Sequence, residues 1–281
     1  MAVLLDGKAM AASLMEGLKK RVEALKEKGM NVGLAVILVG EDPASQVYVR
    51  NKGKACEELG ILSETIRLPE NTSQEELENL IEKLNHDDRM DGILVQLPLP
   101  RHLDEAAALR KIIPEKDVDG FHIENAGKLF TGQEGVVACT PKGILHMLKE
   151  ANVPMKGKEA VVIGRSNIVG KPIAMLLLNE NCTVTICHSR TENLAAHTRR
   201  ADILVAAVGK AKFVTGDMVK PGAAVVDVGI NRVDGKVVGD VDFDSVAPIA
   251  GYISPVPGGV GKMTIGMLME NTIESAERKA K

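Results

Sequence analysis

The 281-residue chain contains no tryptophan and only two tyrosines. Its four cysteines, Cys56, Cys139, Cys182 and Cys187, form no CxxC pair, and its six histidines show no HExxH or comparable spacing. Those absences argue against a metal site and for buried, reduced thiols. No apolar run approaches the roughly 18 residues of a membrane span. Met1-Ala2-Val3-Leu4-Leu5-Asp6 carries neither the basic segment nor the apolar stretch of a secretory signal, which predicts a cytoplasmic protein. Net charge is only −3 and the lysines are scattered, so no stripe for nucleic acid stands out. Internal repeats of fixed period and low-complexity tracts are also missing.

What is present is a globular composition, 45% hydrophobic and 26% charged. The length suits one large or two ordinary domains. The twelve methionines are dispersed, as gap-filling core residues are.

Met10, Leu14, Leu18, Val22 and Leu25 repeat at helical spacing between Lys8 and Lys28, and Gly29 and Asn31 stop that helix. Strands are predicted at Gly33 to Val39, Leu62 to Leu68 and Asp91 to Leu97. Helices follow them at about 44–59, 74–85 and 104–112. Ser73-Gln74-Glu75-Glu76 reads as a capping box. This alternation implies a small parallel sheet. A turn-rich stretch, with a short helix near His122 to Leu129, leads to Thr140-Pro141, read as an N-cap with proline at the first helical position. A second alternating series then runs from Lys158 to Tyr252, and a final helix from about Lys262 to Lys279.

Within that second series, Ala160-Val161-Val162-Ile163-Gly164-Arg165-Ser166-Asn167-Ile168-Val169-Gly170 reads as strand, glycine turn and helix start. A dinucleotide site needs that order: glycine lets the backbone approach the pyrophosphate, and the helix N-terminus offers unpaired N–H groups. The match to G-x-G-x-x-G is imperfect, with Ser166 at the second glycine and one extra residue before Gly170. A plain tight turn is the alternative. The next strand ends in His188-Ser189-Arg190, where NAD-specific sites carry an acidic residue. Arg190 and Arg165 offer forked donors to a 2′-phosphate, which favours NADP; the alternative is that Arg190 merely covers a helix end. Val208-Gly209 and Gly229-Ile230 close two further strands, where ligands of open α/β sheets lie and ordinary turns also occur.

In the first series, Tyr48 and Lys52 are four apart on one helix and so share a face. They form either an aromatic platform beside a titratable amine or a tyrosine covering a lysine stem on a solvated face.

Five segments resemble, in combination, the bifunctional methylenetetrahydrofolate dehydrogenase/cyclohydrolase family. They are Tyr48-Val49-Arg50-Asn51-Lys52, Val95-Gln96-Leu97-Pro98-Leu99-Pro100, Lys116-Asp117-Val118-Asp119-Gly120, Gly164-Arg165-Ser166 and Pro255-Val256-Pro257-Gly258-Gly259-Val260-Gly261. The resemblance covers nearly the whole chain. It implies a two-domain α/β fold: a folate-binding catalytic domain over residues 1–139, and a Rossmann-like NADP domain over 140–261. The last helix, 262–281, would return to the first domain, and the active site would lie in a cleft between the two. A homodimer through the cofactor domains is also implied. The reaction would oxidise 5,10-methylenetetrahydrofolate with NADP+ and hydrolyse the methenyl product to 10-formyltetrahydrofolate, a step of one-carbon metabolism.

The implied site residues follow. Methenyl-tetrahydrofolate is an amidinium cation, so a neighbouring lysine able to lose its proton suits it better than a permanent charge. A free lysine titrates at about 10.4 and burial lowers that value, so Lys52 is expected to be largely buried. Lys52 would activate water, Gln96 would orient it, Tyr48 would stack on the folate, and Asp119 would accept from the pterin. Asp119 taken alone reads equally as a turn residue, the role assigned to Asp117. Val95, Leu97, Pro98, Pro257, Gly258 and Gly259 would complete the folate contacts. Gly164, Arg165, Ser166, Ile168, Val169, His188, Ser189, Arg190, Val208, Gly209, Gly229, Ile230 and Thr264 would hold NADP. One departure stands out: Lys262 replaces the family's proline. Three other readings compete: a dehydrogenase with weak hydrolysis, a non-catalytic NADP- or folate-binding module, and a shikimate-dehydrogenase-like reductase.

Overall fold

The computed structural model describes residues 2–279. The elements in chain order are β1 (Val3–Leu4), α1 (Gly7–Glu27), β2 (Gly33–Val39), α2 (Pro43–Leu59), β3 (Leu62–Leu68), α3 (Gln74–Asn85), β4 (Gly92–Val95), α4 (Glu105–Lys111), α5 (Ile123–Phe130) and α6 (Cys139–Glu150). Then come β5 (Glu159–Ile163), α7 (Gly170–Asn179), β6 (Thr183–Cys187), α8 (Leu194–Thr198), β7 (Ile203–Ala206), β8 (Ala224–Asp227), β9 (Asn231–Val233), β10 (Lys236–Val238), α9 (Phe243–Val246), β11 (Tyr252–Ile253) and α10 (Val260–Lys279).

Two compact units result. One holds the chain up to Ala12, Leu129–Gln133 and Thr140–Thr264; the other holds Ser13–Lys128, Glu134–Cys139 and the chain from Ile265 on. The helices α1, α5 and α10 each run from one unit into the other.

The three-stranded unit has a parallel sheet in the order β3-β2-β4. Every residue of β2 and β4 is buried, which explains their unbroken apolar runs. Ile37, Ile93 and Val95 pack there with Leu77, Ile81 and Leu84 of α3. The Ser73 capping box forms as expected, with Ser73 Oγ accepting from the Glu76 N–H and Glu76 returning to the Ser73 N–H. The turn between α4 and α5 is stitched to the sheet: the Ile93 N–H donates to the Lys116 carbonyl at 2.8 Å, and Asp117 bridges Ile93 in parallel. Within this unit, Arg21 of α1 pairs with Glu277 of α10 at 2.7 Å.

The six-stranded unit has the order β1-β11-β8-β7-β5-β6, all parallel. Counted from β5, its first five strands follow the doubly wound order 2-1-3-4-5. The order reverses between β5 and β7, and that switch point opens a crevice at the strands' carboxyl ends. A β9–β10 hairpin stands beside this sheet.

Two sequence expectations are corrected and one element is added. The first residues, assigned to the catalytic domain, instead supply β1, which pairs with Tyr252 and Ile253 of the six-stranded sheet. Helix α6 begins at Cys139, so Thr140 lies inside its first turn rather than at its N-cap; Pro141 still falls in the turn where its missing N–H costs nothing. The stretch from Asn231 to Val238 is a hairpin. Its turn, Asp234-Gly235, takes positive φ at both residues (50° and 76°), as a type I′ connection requires.

Candidate active site and dinucleotide site

In the three-stranded unit the predicted residues gather at carboxyl ends of parallel strands. β2 runs into Asp42-Pro43 and α2. Asp42 accepts the Ser45 N–H at 2.7 Å and Pro43 opens the helix, so the first turn is fixed by capping. Tyr48 and Lys52 then follow one turn apart. Tyr48 is 46% exposed, its ring available as a stacking face.

β4 ends at Val95, and Gln96 follows. Its side chain is 9% exposed. Lys52 Nζ donates to Gln96 Oε1 at 2.9 Å, and Gln96 Nε2 donates to the Leu97 carbonyl at 2.7 Å. An ammonium group can only donate and a carbonyl can only accept. The two partners therefore fix which end of the amide faces Lys52. The Leu97–Pro98 peptide is cis. Lys52 itself is half-buried, not largely buried as expected.

The loop tied to β4 carries the acids. Asp117 is buried and accepts from the Phe121 N–H at 3.1 Å, the His122 N–H at 2.8 Å and Asn125 Nδ2 at 2.9 Å. That is the turn-holding role expected of it. Asp119, half-buried, receives the Cys139 thiol at 3.9 Å. Burial pushes its pKa above the ordinary carboxylate range, and the charge of Lys52 opposes that rise. Two residues that sequence reasoning missed hold this loop. Asn271 Nδ2 donates to the Val118 and Val137 carbonyls, both at 2.9 Å, and Cys139 Sγ donates to the Val118 carbonyl at 3.3 Å. No short-range sequence signal joins Asn271 to Val118.

Among the described residues, no cluster of His, Cys, Asp and Glu is arranged to hold a metal ion. All four cysteines are buried thiols, none of them in a disulfide; burial pushes the Cys56 thiol up to about 11.

In the six-stranded unit the cofactor residues predicted from sequence lie on loops after β5, β6, β7 and β8. Gly164 has φ 124°, and a Cβ there would stand 2.2 Å from the Ala207 carbonyl oxygen. Only glycine lets the β5 and β7 loops meet at the switch point. Ser166, standing for the second glycine, turns its hydroxyl to the start of α7 and accepts the Val169 and Gly170 N–H groups, both at 3.2 Å. Ile168 is exposed and Val169 half-buried beside them. After β6, the His188 N–H donates to Thr191 Oγ1 at 2.9 Å, and the Arg190 N–H donates to His188 Nδ1 at 3.2 Å. This turn leaves Ser189 and Arg190 exposed, like Arg165. Val208 and Gly209 follow β7, and Gly229 and Ile230 follow β8. Thr264 of α10 meets Thr140 of α6 at 3.1 Å between hydroxyls.

Pro257, Gly258 and Gly259 also belong to this unit. The Gly258 carbonyl accepts the Lys8 N–H at 3.1 Å, and a Cβ on Gly7 would reach within 2.1 Å of the Gly259 oxygen. The loop is thus held against the start of α1. Lys262 is exposed in the first turn of α10.

Residues 5–119 match the family model described as the tetrahydrofolate dehydrogenase/cyclohydrolase catalytic domain. Residues 138–280 match the NAD(P)-binding domain of the same family. A curated relative from Dechloromonas aromatica, "Bifunctional protein FolD", is 61% identical over 99% of both chains. The solved structure of the Campylobacter jejuni bifunctional enzyme FolD is 53% identical with a TM-score of 0.98, covering 99% of this chain and 100% of that one. The Trypanosoma brucei enzyme, solved "complexed with NADP cofactor and inhibitor", is 41% identical with a TM-score of 0.94, covering 100% and 99%.

Proposed function

We propose how two activities are divided among the residues of this chain, which belongs to the tetrahydrofolate dehydrogenase/cyclohydrolase family. It oxidises 5,10-methylenetetrahydrofolate to the 5,10-methenyl form with NADP+ and hydrolyses that product to 10-formyltetrahydrofolate. When bound, NADP+ accepts a hydride from the methylene carbon, leaving an amidinium cation. The residues present fit a dinucleotide. The Gly164 turn has no room for a side chain, the N-terminus of α7 follows it, and the β6 end carries Arg190 and no acid.

The hydrolytic step is assigned to Lys52. Its amine takes a proton from the water that adds to the methenyl carbon. It then returns that proton to the ring nitrogen as the carbon–nitrogen bond opens. The adduct's hydroxyl proton leaves to solvent as the formyl carbonyl forms, so cation and water give the neutral product and one released proton, with none stored on the enzyme. Gln96 orients the amine, Tyr48 supplies the stacking face, and Asp119 accepts from the pterin. Val95, Leu97 and Pro98 would line the folate, with Pro257, Gly258 and Gly259 giving backbone contacts. The single observation that supports this assignment most is the 2.9 Å bond from Lys52 Nζ to Gln96 Oε1: a buried amide aims an accessible amine at the carboxyl end of the sheet.

On the cofactor side, Gly164, Arg165, Ser166, Ile168 and Val169 would hold the pyrophosphate. His188, Ser189 and Arg190 would read the 2′-phosphate, and the remaining loop residues with Thr264 would hold the rest. The same reading makes the protein a cytoplasmic homodimer joined through the cofactor unit. Among the described residues no helix is long and apolar enough to cross a membrane.

Protein mixed with NADP+ and 5,10-methylenetetrahydrofolate should produce NADPH, with methenyl-folate failing to accumulate. No NADPH would overturn the dehydrogenase reading. Methenyl-folate that decays no faster than in buffer would overturn the hydrolase reading. A monomer in sedimentation would remove the dimer.

A further inference from the structure

Two buried carboxylates of the six-stranded unit have no part in the chemistry above. Asp227 ends β8 and is 3% exposed; Asp240 follows β10 and is fully buried. Asp240 Oδ2 accepts the N–H groups of Val208 at 2.6 Å and Gly209 at 2.9 Å. Its Oδ1 accepts the Lys210 N–H and Asn231 Nδ2, both at 2.9 Å. Three successive backbone donors and one side-chain amide thus converge on one carboxylate. Asp227 does the same from below. Its Oδ1 accepts the Gly229 N–H at 2.9 Å and the Asp240 N–H at 2.8 Å, and its Oδ2 accepts the Val241 N–H at 2.9 Å.

The node is packed tightly. A Cβ on Gly229 would lie 2.3 Å from Asp240 Oδ1, and one on Gly239 would lie 1.8 Å from Asp227 Oδ2. The chemistry selects a carboxylate at Asp240. Four donors need two acceptor oxygens, and an amide of the same shape offers one oxygen and turns an N–H₂ group against N–H groups. The loops so gathered, 208–210 after β7 and 229–231 after β8, stand at the carboxyl ends of two neighbouring strands, one of them at the switch point. The sheet topology gives that edge to the dinucleotide.

We propose that Asp240 is a positioning residue for the cofactor: it locks the β7 and β8 loops together in the geometry that binds NADP. The inference rests on those loops holding the dinucleotide. Hydrolysis of methenyl-tetrahydrofolate consumes water and no NADP, so it serves as an internal control on folding.

The test is Asp240→Asn. KM for NADP+ in the dehydrogenase assay, and Kd for NADPH by fluorescence titration, should both rise about tenfold or more as charge-assisted bonds are lost. The kcat/KM for hydrolysis of supplied 5,10-methenyltetrahydrofolate should stay within about twofold of the parent. Both activities falling together, with a matching loss of thermal stability, would show a merely structural role and overturn the proposal. Unchanged NADP+ and NADPH constants would overturn it as well. If Asp240→Asn does not fold, Asn231→Ala removes one donor from the same carboxylate. It should raise the NADPH Kd about threefold with hydrolysis intact; an unchanged Kd would overturn the proposal. The parent protein separates the two failures: an absence of NADPH formation there defeats the functional reading itself, whatever the variants do.

Discussion

If Gln96 acts on hydrolysis through Lys52, the two residues must be energetically coupled, and a double-mutant cycle measures the coupling. Lys52→Met removes the amine while keeping the apolar stem, and loss of a general acid–base group costs about 10²- to 10⁴-fold in hydrolysis. Gln96→Ala removes the 2.9 Å acceptor of Lys52 Nζ. A hydrogen bond to a charged group contributes about 1.5–3 kcal/mol. Lys52 is half-buried, and solvent screening lowers the figure to about 1–2 kcal/mol. That corresponds to a loss of about five- to thirtyfold in kcat for hydrolysis. In the Lys52→Met background there is no amine left to orient, so adding Gln96→Ala should cost less than about twofold. The assay is the decay of supplied 5,10-methenyltetrahydrofolate in the four proteins, with thermal melts to confirm folding. Equal losses with and without Lys52 would refute the orienting role and assign Gln96 to direct contact with substrate.

Other outcomes follow from the same geometry. Asp119 is useful as an acceptor only when ionised, and burial holds its pKa above the ordinary range; the acid limb of kcat/KM for the folate should therefore fall off above pH 3.8, and Asp119→Asn should abolish that limb along with most of the activity. A limb that survives in Asp119→Asn belongs to another group. Arg190→Ala should raise KM for NADP+ more than KM for NAD+, since only NADP+ carries the 2′-phosphate; equal effects would place that recognition elsewhere. Burial also moves the Asp227 carboxyl from 3.8 to about 6. The folded state then holds a proton that the unfolded chain releases first, so stability is fullest below about pH 4 and declines as pH rises through about 6. The total loss across that range amounts to roughly 3 kcal/mol. Asp227→Asn should remove it from urea-unfolding free energies taken across pH 4–7, and a parent-minus-variant difference that stays flat with pH would refute the assignment.

Much of the fold was legible because its cues are local. The Ser73 capping box, the apolar runs of β2 and β5 and the helical spacing of apolar residues in α1 each act within a few residues. The missed elements lack such cues or were passed over. β1 is two residues long, with Val3 55% and Leu4 48% exposed, and it gains its identity only from pairing with Tyr252 and Ile253 at the other end of the chain. The β9–β10 hairpin did carry a signal, Asp234-Gly235, the dipeptide suited to a turn with two positive φ angles. The Asp227–Asp240 node was not legible. In sequence, Asp227 is one polar residue at a strand end, and nothing near it points to Asp240.

The loop from Lys116 to Gly120 shows how sequence alone leaves two aspartates equivalent and structure separates them. Both stand in the same motif, two residues apart. Asp117 spends its oxygens on three donors of its own chain: the Phe121 and His122 N–H groups and Asn125 Nδ2. A carboxylate so engaged has little acceptor capacity left for a ligand, and removing it would leave those donors unsatisfied in a buried turn. Asp119 meets a weak thiol donor at 3.9 Å and lies within the field of Lys52. Its acceptor capacity is directed to whatever binds beside Lys52. Loss of Asp117 should therefore lower stability before it lowers affinity, while loss of Asp119 should lower folate affinity in a protein that still folds. That ordering follows from where the lone pairs point.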